Sequence, residues 1–391
     1  MLLREKAEQA QALLAETGLD CWLTFVRETS VTPDPGVELV VGVDVTWPSA
    51  FIFTPTERVA IVGRYDASPL EGLGTFDRVI GYDEGLREPL LETLTRLNPA
   101  SIGLNYSADD KTADGLTHGM WLMLNDLLKG TPFTERLVSA APLLGRLRAR
   151  KTATEVERIK AAIAVTQEIV DLTTEQIRPG VSEAQIAEFV HEQFRSRGLP
   201  SAWSWDGCPI VNTGPSSAIG HSHPSETLVV EPGHLVHIDL GVRKDEYCSD
   251  IQRMWYVLRP GEQAPPPSIQ RAFEVVLQAL DAGAAVLRPG ARGWEVDAAA
   301  RKVIVDAGFE EYKHAFGHGL GRACHDGGTT LGPRWPRYGS TPDGVIEAGN
   351  VFTIELGVMT EAGYVALEED VLVTEDGLVY LSTPQRELML V

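Results

Sequence analysis

Along residues 1–148, short apolar runs alternate with amphipathic stretches. The runs are CWLTF from Cys21, SAFIFT from Ser49, RVAIVG from Arg58 and SIGLNY from Ser101; the stretches include LREPLLETLTRL and GMWLMLNDLL. Short β-branched and aromatic runs between polar breaks predict strands, and apolar positions recurring every three or four residues predict helices. The alternation therefore predicts an α/β domain. A charged stretch, LLGRLRARKTATEVERIK, then opens a long amphipathic helix that runs to about Ile177. It sets a boundary near residue 149, giving domains of 1–148 and 149–391. The first domain carries no cluster of reactive side chains and reads as a lid or dimerisation domain.

The second domain contains a repeat. IRPGVSEAQIAEFVHEQFRSRGL (177–199) and LRPGARGWEVDAAARKVIVDAGF (287–309) share an Arg-Pro-Gly break, a helical period and a late glycine. Downstream, VVEPGHLVHIDLG (229–241) and VIEAGNVFTIELG (345–357) agree at six of thirteen places. A period this long predicts two copies of one helix–helix–hairpin unit about a pseudo-two-fold axis rather than a solenoid. Asp239 and Glu355 fall at equivalent positions, so each copy delivers a carboxylate to one centre.

These acids sit among Ile238, Leu240, Ile354 and Leu356, in strands that read as buried. In the first hairpin, a two-residue turn near Lys244–Asp245 would set Asp239 directly opposite Asp250. Cross-strand partners share a face with Cβ atoms about 4.5–5.5 Å apart. Two bare carboxylates so placed would repel, and a bound cation removes the conflict. In the second hairpin the loop parity lets Glu368 face Glu355, whereas Glu369 would need a bulge. Four carboxylates from four strands form a ligand set for two hard or borderline divalent ions.

Charge narrows the field. Fifty-five acidic against 34 basic residues give a net charge of −21, which argues against nucleic acid or an anionic membrane as the partner. The four cysteines are scattered without a CxxC, as in a reduced, cytoplasmic protein. The N-terminal MLLREKAEQAQALL reads as an amphipathic helix rather than a signal peptide. No apolar run approaches the ~20 residues of a membrane span. A soluble cytoplasmic protein is expected.

The histidines add nitrogen donors. HAFGHGLGRACHDGG holds His314, His318 and His325, and the glycines around His318 allow the backbone close to a site. His318 is the expected metal ligand. His325 is placed to polarise a substrate carbonyl, and His221, on the loop NTGPSSAIGHSHPSE, to contact substrate. His237 is expected to be structural, since its counterpart in the repeat is Thr353.

With these residues in view, the chain resembles the creatinase, prolidase and methionine aminopeptidase superfamily of pita-bread metallopeptidases over its whole length. The motifs that carry the resemblance are IDLG followed by Asp250, GHGLG with a histidine seven residues after its own, FTIE, and LEEDVLVTEDG. The resemblance implies a creatinase/prolidase-type α/β N-terminal domain and an α+β pita-bread catalytic domain. It implies two divalent ions, manganese, cobalt or zinc, on Asp239, Asp250, His318, Glu355 and Glu368, with Asp250 and Glu368 bridging. Hydrolysis would use a metal-bridging hydroxide, with Glu355 as proton shuttle, His325 on the carbonyl oxygen and His221 near the scissile bond. It also implies a homodimer.

Relatives with such an N-terminal domain cut peptide bonds before proline, and Xaa-Pro dipeptidase is the nearest activity. Xaa-Pro aminopeptidase, like aminopeptidase P, is the alternative. A dipeptidase must bind the free carboxylate of an Xaa-Pro dipeptide, usually with arginine. Ala366 stands where prolidases often carry that arginine, and Leu356 where a proline is common after the first glutamate. Arg322, Arg334 and Arg337 are the candidates to replace it. A catalytically inactive peptide-binding module on the same fold is a further reading, against which stands the complete set of ligand types. A phosphoesterase would need a glycine-rich phosphate loop, which the sequence lacks.

Overall fold

The computed structural model describes residues 2–220 and 222–391. The chain divides into two compact units after Arg148.

The first unit comprises α1 (Leu2–Thr17), β1 (Cys21–Val26), β2 (Ser49–Phe53), β3 (Arg58–Gly63), α2 (Arg64–Leu73), β4 (Arg78–Tyr82), α3 (Arg87–Leu97), β5 (Ile102–Leu104), α4 (His118–Leu128), β6 (Leu137–Ser139) and α5 (Ala141–Ala149). Its strands form one mixed sheet in the order β4-β3-β2-β1-β5-β6. Both faces are covered, which explains the apolar strands without polar alternation. Trp22, Phe51 and Phe53 pack against α1 and α5. Leu23, Phe25 and Ile52 pack against α3 and α4. The α/β reading of this segment agrees with the sheet and its two helical layers.

The second unit opens with α6 (Ala153–Thr174) and α7 (Glu183–Arg197), followed by β7 (Ile210–Thr213), β8 (Leu235–Leu240), β9 (Arg243–Lys244), β10 (Tyr247–Cys248) and β11 (Ile251–Tyr256). It repeats the scheme with α8 (Pro267–Val286), α9 (Gly293–Asp306), β12 (Val351–Thr360) and β13 (Gly363–Thr374), then ends in β14 (Gly377–Tyr380) and β15 (Met389–Leu390). The helices start where the sequence supplies caps. Thr152 with Glu155 and Ser182 with Gln185 form reciprocal capping boxes that satisfy the first free N–H groups of α6 and α7. The Arg-Pro-Gly breaks do the same job in both halves. Gly180 and Gly290 take left-handed φ values of 90° and 89°. Their N–H groups donate to Val230 and Ile346, equivalent residues of the repeat.

The sheet runs β12-β13-β11-β8-β7, with β14 beside β13 and β15 beside β11. Period-two alternation sorts its side chains. Val236, Ile238, Leu240, Ile251 and Trp255 join the core that includes Ala162, Ile169 and Val170 on α6 and Ile186 and Val190 on α7. Ile354, Leu356, Val358, Val365 and Leu367 join the core with Val276 and Leu280 of α8 and Val296 and Ala300 of α9. The alternate positions, Asp239, Gln252, Glu355 and Glu368, are left for the other face.

One correction concerns the first hairpin. The turn consists of Asp245 and Glu246, both at positive φ (49° and 70°), with Lys244 opposite Tyr247. It lies one residue beyond the expected Lys244–Asp245 turn, which moves the register by two. Gln252, not Asp250, is the direct partner of Asp239. A shift of two keeps the face, so Asp250 remains beside Asp239 as a diagonal neighbour.

The segment 316–320 lies against β12, with Thr353 N–H donating to His318 O (2.9 Å) and Glu355 N–H to Phe316 O (2.7 Å). A Cβ on Gly317 would overlap the Thr353 carbonyl oxygen. Gly317→Ala is therefore expected to destabilise the protein by about 1–3 kcal/mol or more, since backbone must move. Urea unfolding tests this, and a stability equal to the unaltered protein's would contradict the close approach.

Among the described residues, no helix is long and apolar enough to cross a membrane.

Candidate metal centre

Asp239 extends from β8, Asp250 immediately precedes β11, Glu355 lies on β12 and Glu368 on β13. Glu355 and Glu368 are direct cross-strand partners, as the loop parity required. The neighbouring Glu369 points the other way. It accepts from Arg253 (2.9 Å), from Ser382 Oγ (2.5 Å) and from Gln385 N–H (2.9 Å), a buried and satisfied structural carboxylate.

His318 reaches the same face from the glycine-rich segment. Its Nδ1 contacts Gly319 O at 3.2 Å. A carbonyl can only accept, so Nδ1 carries a hydrogen, and Nε2 is the nitrogen whose lone pair a neutral ring would offer to a cation. That Nε2 lies 3.6 Å from Asp250 Oδ2, 3.8 Å from Glu368 Oε1 and 4.0 Å from Glu355 Oε1. Donor atoms of Asp250, His318 and Glu368 all fall within 4.8 Å of one another.

Asp239 Oδ1, Asp250 Oδ1 and Glu368 Oε1 are buried without a hydrogen-bond partner. Burial pushes the Asp239 carboxyl up to about 7 and Glu355 to about 8, the latter raised further by the charge of Asp239. Asp250 and Glu368 are driven well above the carboxylate range by burial and then by their acidic neighbours. Orphaned acceptors, an imidazole lone pair and mutually repelling carboxylates are what a divalent cation satisfies, so the residues fit a metal.

The raised values have a consequence for the metal-stripped protein. Below about pH 4 these carboxyls are protonated whether the chain is folded or not. As pH rises toward 7–8 the unfolded chain ionises first, and the folded state loses stability. Stripped Asp239→Asn should therefore be more stable than the stripped parent at pH 8, with the gap closing toward pH 4. Thermal melts over that range measure it; a gap independent of pH would contradict the burial of this charge.

His325 stands next to His318, with ring centroids 4.2 Å apart and planes near perpendicular. Its loop is anchored by a buried ion pair, Lys151 Nζ to Asp326 Oδ2 at 2.7 Å. His221 lies outside the described residues. The three arginines all have partners. Arg322, 7% exposed, lies over the Tyr247 ring (5.4 Å) and 3.4 Å from Glu246. Arg334 stacks on Trp294 (4.2 Å) and pairs with Asp343. Arg337 stacks on Trp335 and Tyr338 and donates to Lys313 O.

Two residues at the centre escaped the sequence reading. Cys324 donates its thiol to Asp250 Oδ2 (2.8 Å), and burial together with the Asp250 charge holds that thiol protonated. Gln252 donates to both Glu355 and Glu368. Its position two residues after Asp250 was the available signal, since alternation puts both on one face.

Solved structures share this architecture. The chain aligns over 100% of its length with 100% of an Xaa-Pro dipeptidase from Bacillus anthracis, at TM-score 0.75 and 25% identity. An X-Pro aminopeptidase from Thermotoga maritima matches over 98% of this chain and 99% of its own, at TM-score 0.71 and 25% identity. In sequence, a putative dipeptidase of Bacillus subtilis, YkvY, is 29% identical over 345 residues, 87% of this chain and 88% of that protein. The fold is thus the pita-bread one, with an N-terminal domain of the prolidase type. The sequence profile of metallopeptidase family M24 matches residues 157–375, more than half of the chain and every acid and imidazole of the centre described above, and the protein belongs to that family of peptidases.

Proposed function

We propose that the protein is a metal-dependent hydrolase that cleaves the peptide bond before proline in Xaa-Pro dipeptides. The observation that carries this reading is the convergence of Asp250, His318 and Glu368, with Glu355 beside them, on one face of the sheet. Similarity to a named Xaa-Pro dipeptidase along the whole chain supports the substrate class.

Asp239, Asp250, His318, Glu355 and Glu368 would hold the metal, and mixed oxygen and nitrogen donors suit manganese, cobalt or zinc. A bound ion supplies Lewis acidity, polarising a carbonyl and acidifying water. Glu355 accepts the proton of the attacking water and returns it to the leaving proline nitrogen. That nitrogen carries no hydrogen in the peptide, so the returned proton is what makes it a competent leaving group. His325, exposed beside His318, donates to the carbonyl oxygen as negative charge develops there. Asp326 and Lys151 position the loop that carries it.

Xaa-Pro aminopeptidase is the second reading, and one feature favours it. Ala366 lies opposite Gly357, and the Tyr364 ring covers both. This wall beside Glu355 offers phenol and methyl groups where a free carboxylate would call for a guanidinium. Cleavage of Leu-Pro with Leu-Pro-Gly spared is the expected result of a length test. The opposite preference would transfer the assignment to the aminopeptidase.

A further inference from the structure

Gln252 occupies the middle of the acidic face, paired across one strand with Asp239 and across the other with Glu368. Its amide nitrogen donates to Glu355 Oε2 at 2.8 Å and to Glu368 Oε2 at 2.9 Å. With the amide nitrogen donating in both bonds, its oxygen is turned the other way. Its Oε1 therefore faces His237 Nε2, at 2.9 Å. His237 Nδ1 lies 3.0 Å from Asn212 Oδ1, and a neutral ring, with one N–H, donates to one of these two amide oxygens; Asn212 Nδ2 donates to the Ala218 carbonyl (2.8 Å) and to Ser217 Oγ (3.0 Å). Asn212, His237 and Gln252 are 3%, 4% and 6% exposed, so the brace is buried along its length.

The brace divides the oxygens of the two glutamates. Each has Oε2 committed to the amide, and each turns Oε1 toward His318 Nε2. On that side Asp250, His318 and Glu368 converge within the reach of one ion. A second ion would draw on Asp239, Asp250 and the other oxygen of Glu368. That oxygen is the one Gln252 holds, and among the described residues those three acids do not converge as the first group does.

We propose that the protein binds one divalent ion tightly, through Asp250, His318, Glu355 and Glu368, and that the Gln252 amide stands in for the second ion. Gln252 is then a positioning residue: a neutral donor bonded to the Glu368 oxygen that a second cation would otherwise take, and to Glu355 beside it. This rests on the metal-centre reading above and specifies how many ions the centre takes.

Chelator-stripped protein titrated with Mn²⁺ tests it, by calorimetry, by metal content after gel filtration and by electron paramagnetic resonance. The expected result is one retained Mn²⁺ per chain with the spectrum of an isolated ion. Gln252→Ala should retain two, with the spectrum of a magnetically coupled pair. Gln252→Thr, too short to reach both glutamates, should behave like Gln252→Ala and covers the case in which the alanine variant folds poorly. Two ions of comparable affinity in the unaltered protein would overturn the proposal, as would folded variants that still retain one. No Mn²⁺ uptake by the unaltered protein would overturn the metal centre itself, a distinct result from two.

Discussion

Glu355→Gln should lower kcat by about 10²–10⁴, the range supplied by a positioned general acid or base, which is roughly 3–5 kcal/mol of barrier. The amide keeps the shape and the approach to Gln252 but cannot take a proton from water. The same substitution should raise the stability of the metal-stripped protein. It removes one of four clustered carboxylates, two buried and two half-buried, whose protonation equilibria are all displaced upward, so the folded state loses a source of repulsion. An inactive, stabilised variant separates a functional role from a structural one. Kinetics on the metal-loaded protein and melts on the stripped protein measure the two halves. Unchanged kcat would remove Glu355 from the chemistry; lower stability when stripped would mean its charge is compensated within the fold.

Metal binding should stabilise the protein substantially, and His318→Ala should abolish most of that response. A ligand that binds only the folded state contributes about 4 kcal/mol at a thousand times its Kd. For a domain of this size that corresponds to a rise on the order of 10 °C in Tm. His318 brings a ring nitrogen to within 4.0 Å of Asp250, Glu355 and Glu368. Outer-shell losses already cost about 10–100-fold in metal affinity, so removal of this donor should exceed that range. Differential scanning calorimetry with and without Mn²⁺ gives the answer, and an equal Tm rise in the variant would exclude His318 as a ligand.

The sequence made the acids of the centre legible because they break an otherwise apolar strand pattern, where nothing but a counter-charge accounts for them. Glu355 and Glu368 were placed correctly since β12 and β13 form an uninterrupted hairpin whose parity fixes the face. The β8–β11 hairpin was harder. Asp245 and Glu246 both adopt left-handed φ without a glycine to announce it, and the register moved by two while the face survived. The repeat was readable from Arg-Pro-Gly because the left-handed glycine and its hydrogen bond recur in each half. Gln252 was missed because an amide is not a ligand type, and its role arises only once β8, β11 and β13 are side by side. The surroundings of the arginines were hidden in the same way. Their stacking partners Tyr247, Trp294 and Trp335 come together through tertiary packing, and Trp294 is 40 residues from the Arg334 that covers it.

The most direct test of the central claim is hydrolysis of Leu-Pro by chelator-stripped protein before and after Mn²⁺ is restored. The account predicts no cleavage by the stripped protein and cleavage to leucine and proline once the ion is returned. Equal cleavage with and without metal would contradict the metal centre, and no cleavage of Leu-Pro or Leu-Pro-Gly under manganese, cobalt or zinc would contradict the proline-directed activity.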